Sequence, residues 1–265
     1  MYVFIHQSIT LYMVKRLNFT DILQACKRDY VPFEGDARPG RRPLSLADFI
    51  DRAAKDGRWP VIAEIKPASP TAGRLRRIDD IEPLARSFKE NGACGISVLT
   101  EPRFFGGSVE SLEKARCGLP VLRKDFLFHP AQIKESYALG ADSLLLISSF
   151  FSTDSLAGMI AGSRSYGMEP LVEVHSEGDI ERAESAGASL YAVNNRDKDT
   201  LEVDLGRTAR LAPLIDGTVV SASGIETAGQ LAEALSYCDA ALIGGALMRA
   251  PDPGEALRSL VYGRP

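Results

Sequence analysis

No run of about 18 apolar residues occurs anywhere in this 265-residue chain, so the sequence lacks the signature of a membrane-spanning helix. A basic excess is missing as well. With 31 Lys and Arg against 35 Asp and Glu the formal net charge is −4, which leaves nothing to displace phosphate counterions and argues against a nucleic-acid partner. The four cysteines, Cys26, Cys94, Cys117 and Cys238, are scattered and form no CxxC pair. That argues against a disulfide framework or a cysteine metal site, and reduced, mostly buried thiols are expected. Histidines number three, with no Ser-His-Asp arrangement and no zinc-like spacing, so a metal site is not expected. His6 lies in a ragged start, His129 begins a helix, and His175 follows Glu173 in a loop; none fits an acid–base role. Met1 to Met13 lacks a basic n-region and a small-residue cleavage site, so it does not read as a signal peptide. Met13 is an alternative start.

What is present is an average globular composition, 45% apolar and 25% charged, enough to bury a core. The chain is organised around Leu119 to Phe126, an apolar strand that ends at Lys124. Similar apolar runs recur: 61–66, 94–99, 119–124, 141–147, 169–174, 190–194, 218–222 and 240–244. Helical spacing fills the gaps, as in Ile81, Leu84, Ala85 and Phe88. Apolar runs without alternation describe strands buried on both faces. Eight strand-then-helix units predict one closed (β/α)₈ TIM barrel, class α/β, in a single domain over 1–265. An open doubly wound sheet is the structural alternative, but no GxGxxG follows the first strand. Residues 1–58 form an N-terminal helical extension. Its first helix opens near Asn18, with Thr20 or Asp21 as cap, and its second at Ser45; together they are expected to cover one end of the barrel. The chain ends just after the eighth unit, so no fused second enzyme domain is expected.

In such a barrel the carboxyl ends of the strands converge on one face. Glu64 and Lys66 end the first strand and, two apart, point the same way. Charges there are costly unless paired or used. Lys124 ends strand three, Glu173 lies on strand five, and Asn194 ends strand six with Arg196 two residues later. Ser69 sits in a flexible loop after strand one. Strands seven and eight run into Ser223-Gly224 and Gly244-Gly245, where barrels commonly bind phosphate through backbone N–H groups. A structural salt bridge and plain turn glycines are the simpler alternatives for these two features.

The blocks VIAEIKPASPTAG, SVLTEPRFFGGS, LPVLRKDFLFHPAQI, GMEPLVEVH, AVNNRD, SASGI and ALIGGALMR resemble those of indole-3-glycerol phosphate synthases, in the family's order and from near Phe19 onward. The resemblance implies a (β/α)₈ barrel with an N-terminal helical extension and a cofactor-free step of tryptophan biosynthesis in the cytoplasm. The implied substrate is the phosphosugar 1-(2-carboxyphenylamino)-1-deoxyribulose 5-phosphate. Lys124 is then the general acid, and Lys66 holds the anthranilate carboxylate and assists dehydration. Glu173 is the partner acid–base, with Glu64 and Asn194 orienting the lysines and the ribulose hydroxyls. Phe105 packs on the anthranilate ring, Ser69 and Arg196 make polar contacts, and Ser223, Gly224, Gly244 and Gly245 cradle the phosphate. A monomer is the default expectation.

Three positions depart from the family pattern. Ala222 stands where the family has glutamate, Pro67 where a basic residue is usual, and Lys198 where leucine is usual. The first removes a carboxylate beside the substrate, the second a charge that serves anion binding or loop closure, and the third is expected to be harmless. A paralogue acting on a modified anthranilate is therefore an alternative. So are a Schiff-base phosphosugar lyase built on Lys124 and a non-catalytic barrel that binds an anion.

Overall fold

The computed structural model describes residues 18–36 and 40–263. The expectations for Met1 to Met13, including His6 and the start site, lie outside the described residues. Eight parallel strands close into a barrel: β1 (Val61–Ile65), β2 (Gly95–Leu99), β3 (Val121–Lys124), β4 (Ser143–Ile147), β5 (Leu171–Val174), β6 (Leu190–Asn194), β7 (Thr218–Ala222) and β8 (Ala240–Ile243). Each pairs with the next, and β8 closes on β1 through Val61 opposite Ala241. Helices lie between consecutive strands. The architecture is the (β/α)₈ barrel expected from the sequence, not the open sheet.

Burial on both faces explains the continuous apolar runs. Alternate residues of one strand belong to two separate cores. Ala63, Ile65, Val121, Leu144, Leu146, Val172, Tyr191, Val219 and Ala241 pack outward against the helices. Ile62, Leu122, Leu145, Leu171, Leu190, Val220 and Leu242 fill the barrel itself. The inward set places Glu64, Lys124, Glu173 and Asn194 at the carboxyl end, a layer above the inner core. Register holds them level: Leu99 lies opposite Lys124, Ile147 opposite Glu173, and Asn194 opposite Ala222.

The two helices of the extension do not share an end of the barrel, contrary to expectation. Helix α1 (Phe19–Asp29) sits over the carboxyl face: the Phe19 N–H donates to the Lys198 carbonyl at 2.9 Å, and its ring meets Phe126 edge-on at 5.6 Å. Helix α2 (Leu46–Lys55) lies at the opposite face, where Ile50 and Ala54 share a recess with Pro60, Thr218 and Asp239, at or just before strand starts. Sequence periodicity gives each helix an apolar stripe but not the surface it meets. The cap of α1 is also revised. Asn18 accepts from the Asp21 N–H at 2.8 Å, and the Asp21 carboxylate answers the Asn18 N–H, a reciprocal capping box. Ser45 caps α2 as expected.

All four cysteines are free. Only Cys94 is fully buried, with its thiol pushed up to about 12 by burial, while the other three are partly exposed. Among the described residues no helix is long and apolar enough to cross a membrane.

Candidate active site

At the end of β1, Glu64 and Lys66 point the same way, as alternation requires, and Lys66 Nζ donates to Glu64 Oε1 at 3.1 Å. Glu64 is nearly inaccessible and Lys66 partly exposed, so the pair leads from the barrel interior to the cleft. Gly244 makes room for it. A Cβ at that position would stand 2.5 Å from Glu64 Oε1 and 2.9 Å from Glu64 Cβ. Glycine is needed here because a side chain fills the space, a reason that the turn pattern alone does not supply.

Lys124 and Glu173 face each other across the barrel mouth, with Nζ 3.6 Å from Oε2. Glu173 is fully buried, and Lys124 keeps some exposure to the cleft. Each lysine thus has a carboxylate of its own. On the far side of Glu173, His175 Nε2 lies 3.5 Å from Oε1. Burial lowers the His175 pKa; Glu173 and Asp179 oppose that, while Arg207 and Lys198 add to it.

The outward neighbour of Lys124 anchors the strand. Arg123 is buried and binds Asp125 at 3.0 Å and Glu135 at 2.7 Å. Burial works against its charge, but the two carboxylates outweigh it and raise its pKa. Asp125 also accepts from Thr100 Oγ1 at 2.6 Å, tying the β2 and β3 loops together.

One wall of the cleft is aromatic. Glu101 caps the short helix Pro102–Phe105 by accepting three backbone N–H groups, and this presents Phe105 to the site. Phe105 stacks obliquely on Phe126 at 6.0 Å, and Lys66 Nζ lies 6.0 Å from the Phe105 ring centre. Phe126 in turn meets Phe150 at 6.2 Å and Phe19 at 5.6 Å. The cleft lies between this wall and Glu64, Lys66, Lys124, Asn194 and Arg196. Ser69 borders it on a two-stranded ribbon, with its Oγ accepting from the Ala72 N–H at 3.1 Å.

Beside the cleft is a second recess lined by Lys66, Arg196, Ser223, Gly224, Gly244, Gly245 and Arg249. Ser223 and Gly224 both have positive φ, 70° and 86°, so two successive residues turn through the left-handed region. A Cβ at Gly224 would lie 2.3 Å from Val203 Cγ1, so glycine is required twice over. Arg196 is held by its own loop: its N–H donates to Asn194 Oδ1 at 3.0 Å and its guanidinium to the Leu201 carbonyl at 2.7 Å. Burial lowers its pKa, with Glu64 opposing. Asn195 faces outward and braces the same loops through Ser221 and the Ser223 carbonyl.

Eleven of the twelve side chains and glycines singled out from the sequence therefore border the cleft or the recess beside it, and Glu173 lies buried behind Lys124. The family model described as indole-3-glycerol phosphate synthase matches residues 21–260. The chain belongs to the indole-3-glycerol phosphate synthase family. It is 44% identical over 227 residues to the indole-3-glycerol phosphate synthase of Carboxydothermus hydrogenoformans, covering 83% of this chain and 86% of that one. Identity to the Haloarcula marismortui synthase is 45% over 222 residues, 81% and 80% of the two chains. Among solved structures, a 3-hexulose-6-phosphate synthase superposes with a TM-score of 0.59 at 17% identity, covering 76% of this chain and 97% of that chain. That likeness is one of fold.

Against the synthase pattern, the three departures have distinct surroundings. Ala222 faces inward between Asn194 and Leu242 and lines the recess, so a carboxylate there would enter the site. The Pro67 carbonyl accepts from the N–H groups of Leu75 and Arg76, closing the loop after β1 without a charge. Lys198 pairs with Asp199 at 2.7 Å, and its carbonyl docks α1. Sequence reasoning did not single out Phe19, Phe126, Arg249 or the Glu173–His175 contact. Alternation past Lys124 was enough to find Phe126; nothing local marks Phe19, which comes from a different end of the chain.

Proposed function

We propose that this chain is a carbon–carbon lyase, a carboxy-lyase that converts 1-(2-carboxyphenylamino)-1-deoxyribulose 5-phosphate to indole-3-glycerol phosphate, CO2 and water in tryptophan biosynthesis. The observation that carries the reading is the pair of lysine–carboxylate contacts, 3.1 Å and 3.6 Å, at the mouth of one barrel beside a glycine-turn recess. Ring closure needs an acid at the ketone oxygen, and Lys124 is that acid. The aromatic carbon that bears the carboxylate attacks the ketone carbon, and CO2 then leaves and restores the ring. Dehydration needs a base for a proton on the methylene carbon next to nitrogen, a role assigned to Glu173.

Lys66 holds the anthranilate carboxylate and assists dehydration. Glu64 and Asn194 orient the lysines and the ribulose hydroxyls, Ser69 and Arg196 supply polar contacts, and Phe105 packs on the ring. Phosphate is assigned to Ser223, Gly224, Gly244 and Gly245, where backbone N–H groups can meet an anion. We assign the chain to the cytoplasm as a monomer in a single domain over 1–265, acting without a cofactor on a small phosphosugar and without nucleic-acid or membrane partners.

The test is indole fluorescence on mixing protein with that substrate. Lys124→Ala is expected to lower kcat by about 10²–10⁴-fold. Saturable binding with no product from the parent chain would overturn the reading. One observation, Ala222 at an inward position of the recess, favours a second: a paralogue that acts on a modified anthranilate. Ala222→Glu separates them, because turnover of the ordinary substrate rises in the variant if the missing carboxylate is limiting.

A further inference from the structure

Glu173 stands between two nitrogen bases. Its Oε2 faces Lys124 Nζ at 3.6 Å and its Oε1 faces His175 Nε2 at 3.5 Å. Both carboxylate oxygens and both imidazole nitrogens are buried, and none has a hydrogen-bond partner among the described residues. Leaving such atoms unpaired costs about 1–3 kcal/mol each, so a cluster of four calls for an explanation, and a catalytic role is one. The row continues outward. His175 Nδ1 lies 4.0 Å from Asp179 Oδ2, and Asp179 pairs at 2.8 Å with Arg182, whose side chain is about one-third exposed. Phe19 packs edge-on against the imidazole at 6.2 Å and closes its cleft side.

The proposed reaction, on which this inference rests, consumes a proton. The ketone oxygen departs as water and takes up two protons; one is recovered when the methylene carbon loses hydrogen to form the ring double bond. The carboxylate leaves as CO2 with no proton of its own. Each turnover therefore draws one proton from outside, into a site whose acid is spent in the first step.

We propose that His175 is a positioning residue for this reaction, the inlet that returns that proton to Lys124 by way of Glu173. Glu173 takes the carbon-bound proton as a carboxylic acid and passes it to the neutral Lys124 amine, becoming a carboxylate again. The further proton enters at His175 Nδ1, leaves from Nε2 to Glu173 Oε1, and is passed on in the same way. No electrons change hands; the carboxylate ends as it began, and the imidazole ends neutral with its proton on Nδ1 instead of Nε2, a tautomer that a half-turn of the ring resets before the next turnover. The groups that face the ring are Glu173 on β5, which His175 directly follows, with Lys124 beyond; Asp179 on the helix Glu177–Ser185; Lys198 in the loop after β6; and Arg207 on the helix Gly206–Leu211. Burial keeps the resting imidazole neutral, so it does not hold Glu173 in a permanent ion pair.

The experiment compares the parent chain, His175→Gln and His175→Ala, measuring kcat and KM across pH, with unfolding temperature recorded for each. For His175→Gln we expect kcat to fall by at least about tenfold, less than the loss of a direct acid–base group. KM is expected to stay within about twofold, because the ring lies behind Glu173 and does not line the cleft. The deficit grows as pH rises, since solvent must then supply protons unaided, and added imidazole restores His175→Ala. A His175→Gln enzyme with the parent's kcat and pH profile overturns the inlet. So does a loss that tracks a lowered unfolding temperature and that imidazole does not restore. Failure of the parent chain to turn over the substrate overturns the synthase reading and the inlet with it, whereas an active parent and an unaffected variant overturn the inlet alone.

Discussion

Gly244 and Glu64 compete for one volume, and the competition fixes the geometry of Lys66. A methyl group at position 244 would lie 2.5 Å from Glu64 Oε1, so Gly244→Ala has to push the carboxylate off Lys66. We expect kcat/KM to fall about tenfold or more, the cost of a misplaced charged group, with the circular dichroism spectrum unchanged. A second residue-scale prediction concerns pH. Burial lowers the His175 pKa from 6.5, so as pH falls the unfolded chain takes up that proton first. The native state therefore loses stability as pH drops below about 6.5, and His175→Gln removes that part of the slope. Urea unfolding at about pH 7.5 and pH 5.5 checks it: equal slopes in parent and variant contradict the assignment. That Glu64, Lys66, Lys124 and Glu173 meet at one end of the barrel was legible from the sequence, because each lies at or near the carboxyl end of an apolar run. Their pairing was not, since which carboxylate meets which lysine depends on register between distant strands.

Strand β3 divides its two charged residues between the two faces, Arg123 outward and Lys124 inward, and the outward one anchors the inward one. Replacing Arg123 with methionine leaves Asp125 and Glu135 without their shared cation in a buried setting. We expect a loss of about 3–5 kcal/mol in chemical denaturation, the range for breaking a buried ion pair from one side. Helix α1 offers the opposite case, a small and local term. Asn18→Ala removes the capping box and is expected to cost about 1 kcal/mol. Thr20 and Asp21 looked equally suitable as caps, because short polar residues cluster there. The reciprocal Asn-x-x-Asp spacing decides for Asn18, and that spacing was present in the sequence.

The barrel as a whole was legible because closure buries both faces of every strand and leaves unbroken apolar runs eight times over. That same burial hides which residues point inward, and an amphipathic helix carries no label for the end it covers. The extension consequently splits into two helices with separate duties. Helix α2 packs Leu46, Ile50 and Ala53 at the amino-terminal face, where barrels invest in stability, and α1 packs Phe19 at the carboxyl face, where they place chemistry. Ile50→Ala should therefore cost about 2–5 kcal/mol of stability through the cavity it leaves, while kcat and KM stay at parent values at a temperature where the variant is folded. Phe19→Ala removes the edge contacts to Phe126 and His175, so it should raise KM as the aromatic wall loosens and also lower stability. Steady-state kinetics and urea unfolding on both variants check this. If Ile50→Ala shifts KM as far as Phe19→Ala does, the two helices act as one unit through the barrel; if only Phe19→Ala does, the two ends of the barrel work independently.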